Sequence, residues 1–333
     1  MEEVFKRIFK VLSAGIVAFV ILSAFTYFYY NIPAHIIPES NTSDYAWEKN
    51  SNYFRCTEGF AYGRFDSNGY NNKKALDDID VLVMGSSQME GVNVCQDQNT
   101  VAQLNSLFDR NQVDMKAYNI GISGHTLLNC LDNIGNANQR FKPAKYIIIE
   151  AFSTKFDTES LEKLANNEFE TIPSNSSGIL HHLQKFDYLR LLYSQYNSYR
   201  RNNSPAPVIE EKDNFNRAQY EYWLNECLRS AKEKIGEEIK LIIFSGSSVD
   251  LNNCDYNAVY KPSYYTQALD RYCENNGIFF IDMSQQFLDY YRQNNILLHG
   301  FSNTHIGEGH YNKYGHAVIA DVLYNTIMEM EAE

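Results

Sequence analysis

The sequence predicts an α/β fold: a three-layer αβα sandwich around a five-stranded parallel sheet, preceded by one N-terminal transmembrane helix. Three observations predict it. Five short apolar runs, rich in β-branched residues, recur along the chain, and each leaves into a turn bearing glycine, serine or aspartate. Between them lie longer stretches with apolar residues at helical spacing, and apolar strands that alternate with helices belong to a parallel sheet covered on both faces. Ahead of them all, Val11 to Tyr30 contains no charged residue, and about 20 apolar residues are what a helix needs to cross the hydrocarbon core.

Composition bounds the function classes. A chain of 333 residues, 44% hydrophobic and 14% aromatic, can bury one large core or two small ones. The formal net charge is -12, and no clustered Lys/Arg face is present to neutralise phosphates, which excludes a nucleic-acid partner. Six cysteines, Cys56, Cys95, Cys130, Cys227, Cys254 and Cys273, suit either disulfides in an exported domain or scattered buried thiols. No Cys-x-x-Cys pair occurs, so a structural zinc site is not expected, and the sequence calls for no other cofactor. Sequons stand at Asn41, Asn175 and Asn202.

The elements follow in order. Lys6, Arg7 and Lys10 precede the apolar run and Tyr27, Phe28, Tyr29 and Tyr30 close it as an aromatic belt, so residues 11–30 are expected in the bilayer with the N-terminus cytoplasmic and the rest outside. A cleaved signal peptide is the rival reading, but the run is long for one and no small-x-small cleavage site follows it. Residues 1–31 form this unit, and residues 32–78, polar and aromatic without periodicity, read as a juxtamembrane stalk and lead-in. The domain of residues 79–333 then begins with a strand from Ile79 to Met84. A helix follows from about Thr100 to Phe108, a second strand from Met115 to Ile120, and a helix carrying Leu127, Leu128, Leu131 and Ile134. Tyr146 to Ala151 is a third strand. Residues of about 157–212 read as a helical insertion that caps the site, ending in an Asn-Asn-Ser-Pro-Ala-Pro loop. A helix from about Asn214 to Ile235 leads to a fourth strand, Lys240 to Phe244; a helix from about Ser263 to Asn275 leads to a fifth, Ile278 to Ile281. The last helix bears Val318, Ile319, Val322, Leu323 and Ile327, with Asn312 as its N-cap. Joined by right-handed crossovers, the five strands make a flavodoxin-like sandwich.

Two places carry chemistry. Met84-Gly85-Ser86-Ser87 ends a buried strand and holds Ser87 at its carboxyl end, where open α/β sheets put their ligands. Serine needs a base. Gly309-His310-Tyr311-Asn312, in a Gly-rich loop before the last helix, supplies one in His310, while His316, inside the helix turn, reads as structural. The second strand leaves through Gly121-Ile122-Ser123-Gly124, where glycines let backbone approach a ligand.

These blocks resemble the SGNH, or GDSL-like, hydrolases, specifically their membrane-anchored extracytoplasmic branch, over about residues 65 to 325. Met84 to Gly91 is similar to the family's Gly-Asp-Ser nucleophile block, with Ser86 where the Asp is usual. Tyr118 to Gly124 is similar to the second block, Phe65 to Tyr70 to the Asn-Ser-x-Gly-Phe lead-in of many extracellular members, and His310 to His316 to the closing His-x-Asn-x-x-Gly-His pattern. Two departures stand out. The third block reads Phe152-Ser153-Thr154-Lys155, so Thr154 or Ser153 stands where the oxyanion-hole Asn belongs, and Gly307 stands where an acidic residue is usual, leaving Glu308 as the nearby carboxylate.

The resemblance implies acyl transfer by Ser87 with His310 as base, and Gly124 as an oxyanion donor beside the Ser87 amide and Thr154 or Ser153. Glu308 completes a triad or, as the two-residue spacing slightly favours, a backbone carbonyl orients the imidazole in a Ser-His dyad. The implied activity is a serine esterase or O-acyltransferase on acyl, chiefly acetyl, esters of a cell-surface glycan, with a membrane acyltransferase as a possible donor partner. Two alternatives stand beside it. One is a catalytically inactive SGNH-like glycan-binding or assembly module, since the Asp and Asn are replaced. The other is a metallohydrolase built on His305, Glu308, His310 and His316, whose spacing matches no zinc motif.

Overall fold

The structure is a computed structural model and describes residues 2–29, 35–36, 46–56, 58–169, 188–189, 192–193, 196, 216–246, 249 and 260–332. Most of the expected insertion beyond residue 169, the Asn-Asn-Ser-Pro-Ala-Pro loop, the three sequons, Tyr30 and Cys254 lie outside the described residues. The five described cysteines are free thiols, with Cys130, Cys227 and Cys273 buried.

Helix α1 (Glu2–Tyr29) contains the apolar run and extends it back through Lys6 and Arg7. It is long and apolar enough to cross a membrane, and its large side chains are exposed, as with Phe9 and Ile16. Two-residue β1 (His35–Ile36) pairs with β2 (Ala46–Trp47), and β3 (Asn52–Arg55) forms an antiparallel hairpin with β4 (Ala61–Arg64). The hairpin lies in the segment where no periodicity was visible. Its inward residue Tyr53 joins Trp47, Phe65 and Val92 in a small apolar cluster, while Tyr70 and Ala46 enter the main core. Ala46, Trp47, Tyr53, Phe65 and Tyr70, all within the expected stalk and lead-in, are therefore packed in apolar clusters, Ala46 and Tyr70 in that of the sheet.

The five expected strands are β5 (Val81–Met84), β6 (Ala117–Asn119), β7 (Tyr146–Glu150), β8 (Lys240–Ser245) and β9 (Phe279–Asp282), all parallel in the order β6-β5-β7-β8-β9. Alternation decides the two faces. Leu82, Met84, Ile147, Ile149, Leu241 and Ile243 face one core, against α4 (Leu127–Phe141), α5 (Thr158–Ala165), α6 (Arg217–Ile235) and α7 (Tyr264–Asn275). Val81, Val83, Ile148, Ile242 and Phe244 face the other, against α3 (Thr100–Arg110), α8 (Ser284–Asn294) and α9 (Lys313–Ala332). Helix α8 has only Ser284 and Phe287 buried, so it carries no apolar stripe for periodicity to detect.

The edge strand is closed by side chains. Asn105 accepts from the Ala117 N–H at 2.8 Å and donates to its carbonyl at 2.9 Å, and Asn72 does the same for Asn119, at 2.9 Å in both directions. Two asparagines thus take the hydrogen bonds of a missing neighbour strand, which satisfies an otherwise open edge. Because β6 and β7 lie on opposite sides of β5, the chain reverses its direction of winding at the carboxyl end of β5. That crevice is where such sheets bind ligands, and Ser87 follows β5 directly.

Candidate active site

The turn after β5 is tight for a local reason. A Cβ on Gly85 would come within 2.8 Å of the Glu150 Cβ and 2.7 Å of the Met89 Cγ, so only glycine lets the chain turn this close to the end of β7. Ser86 is extended and caps the short helix α2 (Ser87–Glu90), its hydroxyl accepting from the Gln88 N–H. Ser87 opens that helix. Among the described residues the amides of Ser87 and of exposed Gly124 have no protein acceptor.

His310 reaches across from the loop before α9. Its Nε2 is 2.7 Å from the Ser87 Oγ, and its Nδ1 is 2.7 Å from the Oε2 of Glu58. The other Glu58 oxygen accepts from the His310 backbone N–H at 2.7 Å, so one carboxylate fixes both the ring and the peptide that bears it. A carboxylate at Nδ1 holds the ring proton on that nitrogen, which leaves Nε2 to accept from the serine hydroxyl. The three side chains form a continuous Ser-His-Glu relay, with His310 and Glu58 each about a quarter exposed (27% and 24%).

This corrects the expectation for the orienting group. Neither Glu308 nor a bare backbone carbonyl holds the imidazole: Glu308 is exposed, between Gly307 and Gly309, both at positive φ. Glu58 occupies the space beside Nδ1. A Cβ on Gly309 would lie 2.3 Å from its Oε1, so the carboxylate approaches only because residue 309 is glycine. Glu58 lies in the turn between β3 and β4, and amides of two distant segments hold that turn. Asn93 donates to the Glu58 carbonyl at 3.0 Å, and Asn303 accepts from the Gly59 N–H at 2.9 Å while donating to the Cys56 carbonyl at 3.0 Å. The sequence carried one usable signal, two short Tyr-bearing runs flanking a Gly-containing turn, which is a hairpin pattern.

The other expected residues fall as follows. The Thr154 hydroxyl is hydrogen-bonded to Thr266 of α7 at 3.0 Å, and exposed Ser153 is bonded to the Lys155 backbone, so both hydroxyls are engaged in structural contacts. From the end of β7 it is Glu150 that meets the nucleophile turn, accepting from the Ser86 N–H at 2.9 Å. Glu150 is wholly buried, and burial pushes its carboxyl up to about 7, against the opposing pull of the Ser86 bonds and His310. A second buried carboxyl, Glu90, accepts from the Trp47 indole N–H and the Ser123 hydroxyl, tying α2 to the loop that carries Gly124. Burial raises it too, opposed by those bonds.

His316 is structural, as expected. It is buried against α3, its Nδ1 meeting the Thr100 hydroxyl at 2.8 Å, and burial lowers it to about 3. His305 and Glu308 are exposed, and among the described residues no group of three His, Cys, Asp or Glu side chains is gathered to hold a metal. The four residues of the metallohydrolase alternative do not share a site.

No protein-family model matches the chain, and no curated protein matches it. Several solved structures do. A psychrotrophic esterase, EstA from Pseudoalteromonas sp., is 14% identical, with 76% of this chain and 98% of that one covered at a TM-score of 0.39. An acetyl xylan esterase from Geobacillus stearothermophilus is 14% identical over 75% of this chain and 96% of its own, with a TM-score of 0.41. A two-domain esterase active on acetylated mannans is 12% identical over 77% of this chain and 50% of its own, with a TM-score of 0.42.

Proposed function

We propose that the chain is an SGNH-type serine ester hydrolase or O-acyltransferase, anchored by α1 with residues 32–333 outside the cytoplasm, acting on acyl, chiefly acetyl, esters of a cell-surface glycan. The observation that carries this reading is the relay: Ser87 Oγ, both nitrogens of His310 and Glu58 in one line, with two contacts of 2.7 Å. Ser87 Oγ attacks the ester carbonyl as its proton passes to His310 Nε2. Glu58 stabilises the imidazolium that forms, and the amides of Ser87 and Gly124 receive the oxyanion. His310 then gives the proton to the leaving alcohol, which leaves an acyl group on Ser87. Water or a sugar hydroxyl, deprotonated by the same imidazole, attacks the acyl-enzyme, and the proton returns to Ser87. The acceptor in that second half decides between hydrolysis and transfer.

The glycan and the anchoring rest on the sequence resemblance, on α1 and on Lys6, Arg7 and Lys10 before the apolar run. A serine-directed fluorophosphonate probe tests the chemistry: the full-length chain in detergent is expected to label at Ser87. A folded chain that does not label, and does not turn over aryl acetates, would instead be a binding or assembly module.

A further inference from the structure

The residue after the nucleophile does something the relay itself does not account for. Gln88 is 3% exposed, and its side-chain amide bonds twice to the base-bearing loop: Nε2 donates to the Gly309 carbonyl at 3.1 Å, and Oε1 accepts from the Tyr311 N–H at 2.7 Å. Those are groups of the residues immediately before and after His310. Both peptide groups of His310 are also taken, the N–H by Glu58 and the carbonyl by the Gly300 N–H at 2.8 Å. The loop needs such registration, because Gly300, Gly307 and Gly309 all stand at positive φ and leave its backbone permissive.

We propose that Gln88 is a positioning residue that sets the register between nucleophile and base, a role that rests on the Ser87-His310 chemistry proposed above. It is covalently next to Ser87 and grips the chain on both sides of His310, so it links the two reacting side chains by a path separate from their own contact. Any buried amide needs partners. Here both partners flank the same catalytic residue, 221 and 223 residues away in sequence, and loss of the strut frees the imidazole relative to the Ser87 hydroxyl without touching either. Misplacement of reacting groups by about 1 Å costs on the order of 100-fold.

The test compares Gln88→Met and Gln88→Glu with the wild-type full-length chain in detergent, following fluorophosphonate labelling of Ser87 and aryl acetate turnover from pH 5 to 8. Gln88→Met removes both bonds at similar volume and is expected to lower kcat and labelling by about 10- to 100-fold with KM unchanged. Gln88→Glu keeps the shape and the acceptor for Tyr311, but when ionised it cannot donate to the Gly309 carbonyl. Protonated, it can. Its activity relative to wild type should therefore rise as pH falls; the other ionisable groups facing the site, His310, Glu58 and Glu150, are the same in both chains. The proposal is overturned if Gln88→Met, with its melting temperature retained, stays within about threefold of wild type. It is equally overturned by a Gln88→Glu ratio that is flat with pH, a readout taken on one folded sample should the Met variant unfold. A wild-type chain that does not label removes the hydrolase reading and this role together, whereas labelling of wild type and Gln88→Met at equal rates removes this role alone.

Discussion

Replacing Glu58 by Gln tests the relay where sequence reasoning failed. The carboxamide keeps the shape and its oxygen can still accept from the His310 N–H, which leaves the NH2 group facing Nδ1. Donor against donor drives the ring proton to Nε2, the nitrogen that must accept from Ser87. The charge that stabilises the imidazolium is lost as well. At the observed 2.7 Å, an ion pair is worth about 6 kcal/mol at an effective dielectric of about 20 and about 1.5 kcal/mol in water. With both side chains about a quarter exposed (27% and 24%), the site lies between these limits. The corresponding loss in kcat is about 10- to 10,000-fold, centred near 100- to 1,000-fold, with KM little changed because the imidazolium exists only after proton transfer. Stopped-flow acylation with an aryl acetate measures it directly, with Glu308→Gln as the paired control expected near wild type. A folded Glu58→Gln chain that acylates within about threefold of wild type, or a Glu308→Gln chain that is the crippled one, would refute the assignment.

Ser87→Ala should abolish turnover and probe labelling, whereas Ser86→Ala should keep the chemistry and lose only about 1 kcal/mol of stability as its N-cap bond to Gln88 disappears; equal losses of activity would misplace the nucleophile. Thr154→Val should leave acylation within about threefold of wild type, because that hydroxyl is bonded to Thr266, while a loss of about 100-fold or more would make it an oxyanion donor after all. Glu150, raised from 4.5 to about 7 in the folded chain, contributes stability that is complete below its unfolded value and is lost as pH rises through about 7, on the order of 3 kcal/mol. Glu150→Gln should therefore flatten the fall in stability between pH 5 and 8 in urea unfolding of the detergent-solubilised chain, and an unchanged slope would discard the buried-acid account. A reporter fused after Glu333 should be active only outside the cytoplasm, and activity inside would reverse the topology.

What the sequence made legible is local. Each strand is a run such as Val81–Met84 or Tyr146–Glu150 whose burial on both faces is written in its own residues, and the observed limits differ from the expected ones by one or two positions. Ser87 and His310 were legible because one follows a strand end directly and the other stands in the loop just before a helix. Glu58 was not, since it stands 252 residues before its partner, in a turn between two four-residue strands. No periodicity of its own marks a carboxylate whose meaning depends on where a hairpin docks. The same holds for Asn72 and Asn105, which look like surface amides in sequence and act as a surrogate strand in the fold.

The positions at which the sequence departs from the SGNH pattern it resembles have a physical counterpart in the buried carboxyls. With Ser86 where an acid is usual, the turn takes its carboxyl from the end of β7, and Glu150 consumes the Ser86 amide. That amide is therefore not available to an oxyanion, and the proposed mechanism uses the Ser87 and Gly124 N–H groups as its donors. A full negative charge so close to the turn would oppose the developing oxyanion electrostatically. Burial answers part of this, because a carboxyl raised to about 7 is largely protonated below neutrality and holds its charge only above it. In the proposed mechanism the oxyanion field of a two-amide hole is then strongest where Glu150 is neutral, so this buried carboxyl favours acylation on the acid side of its own titration.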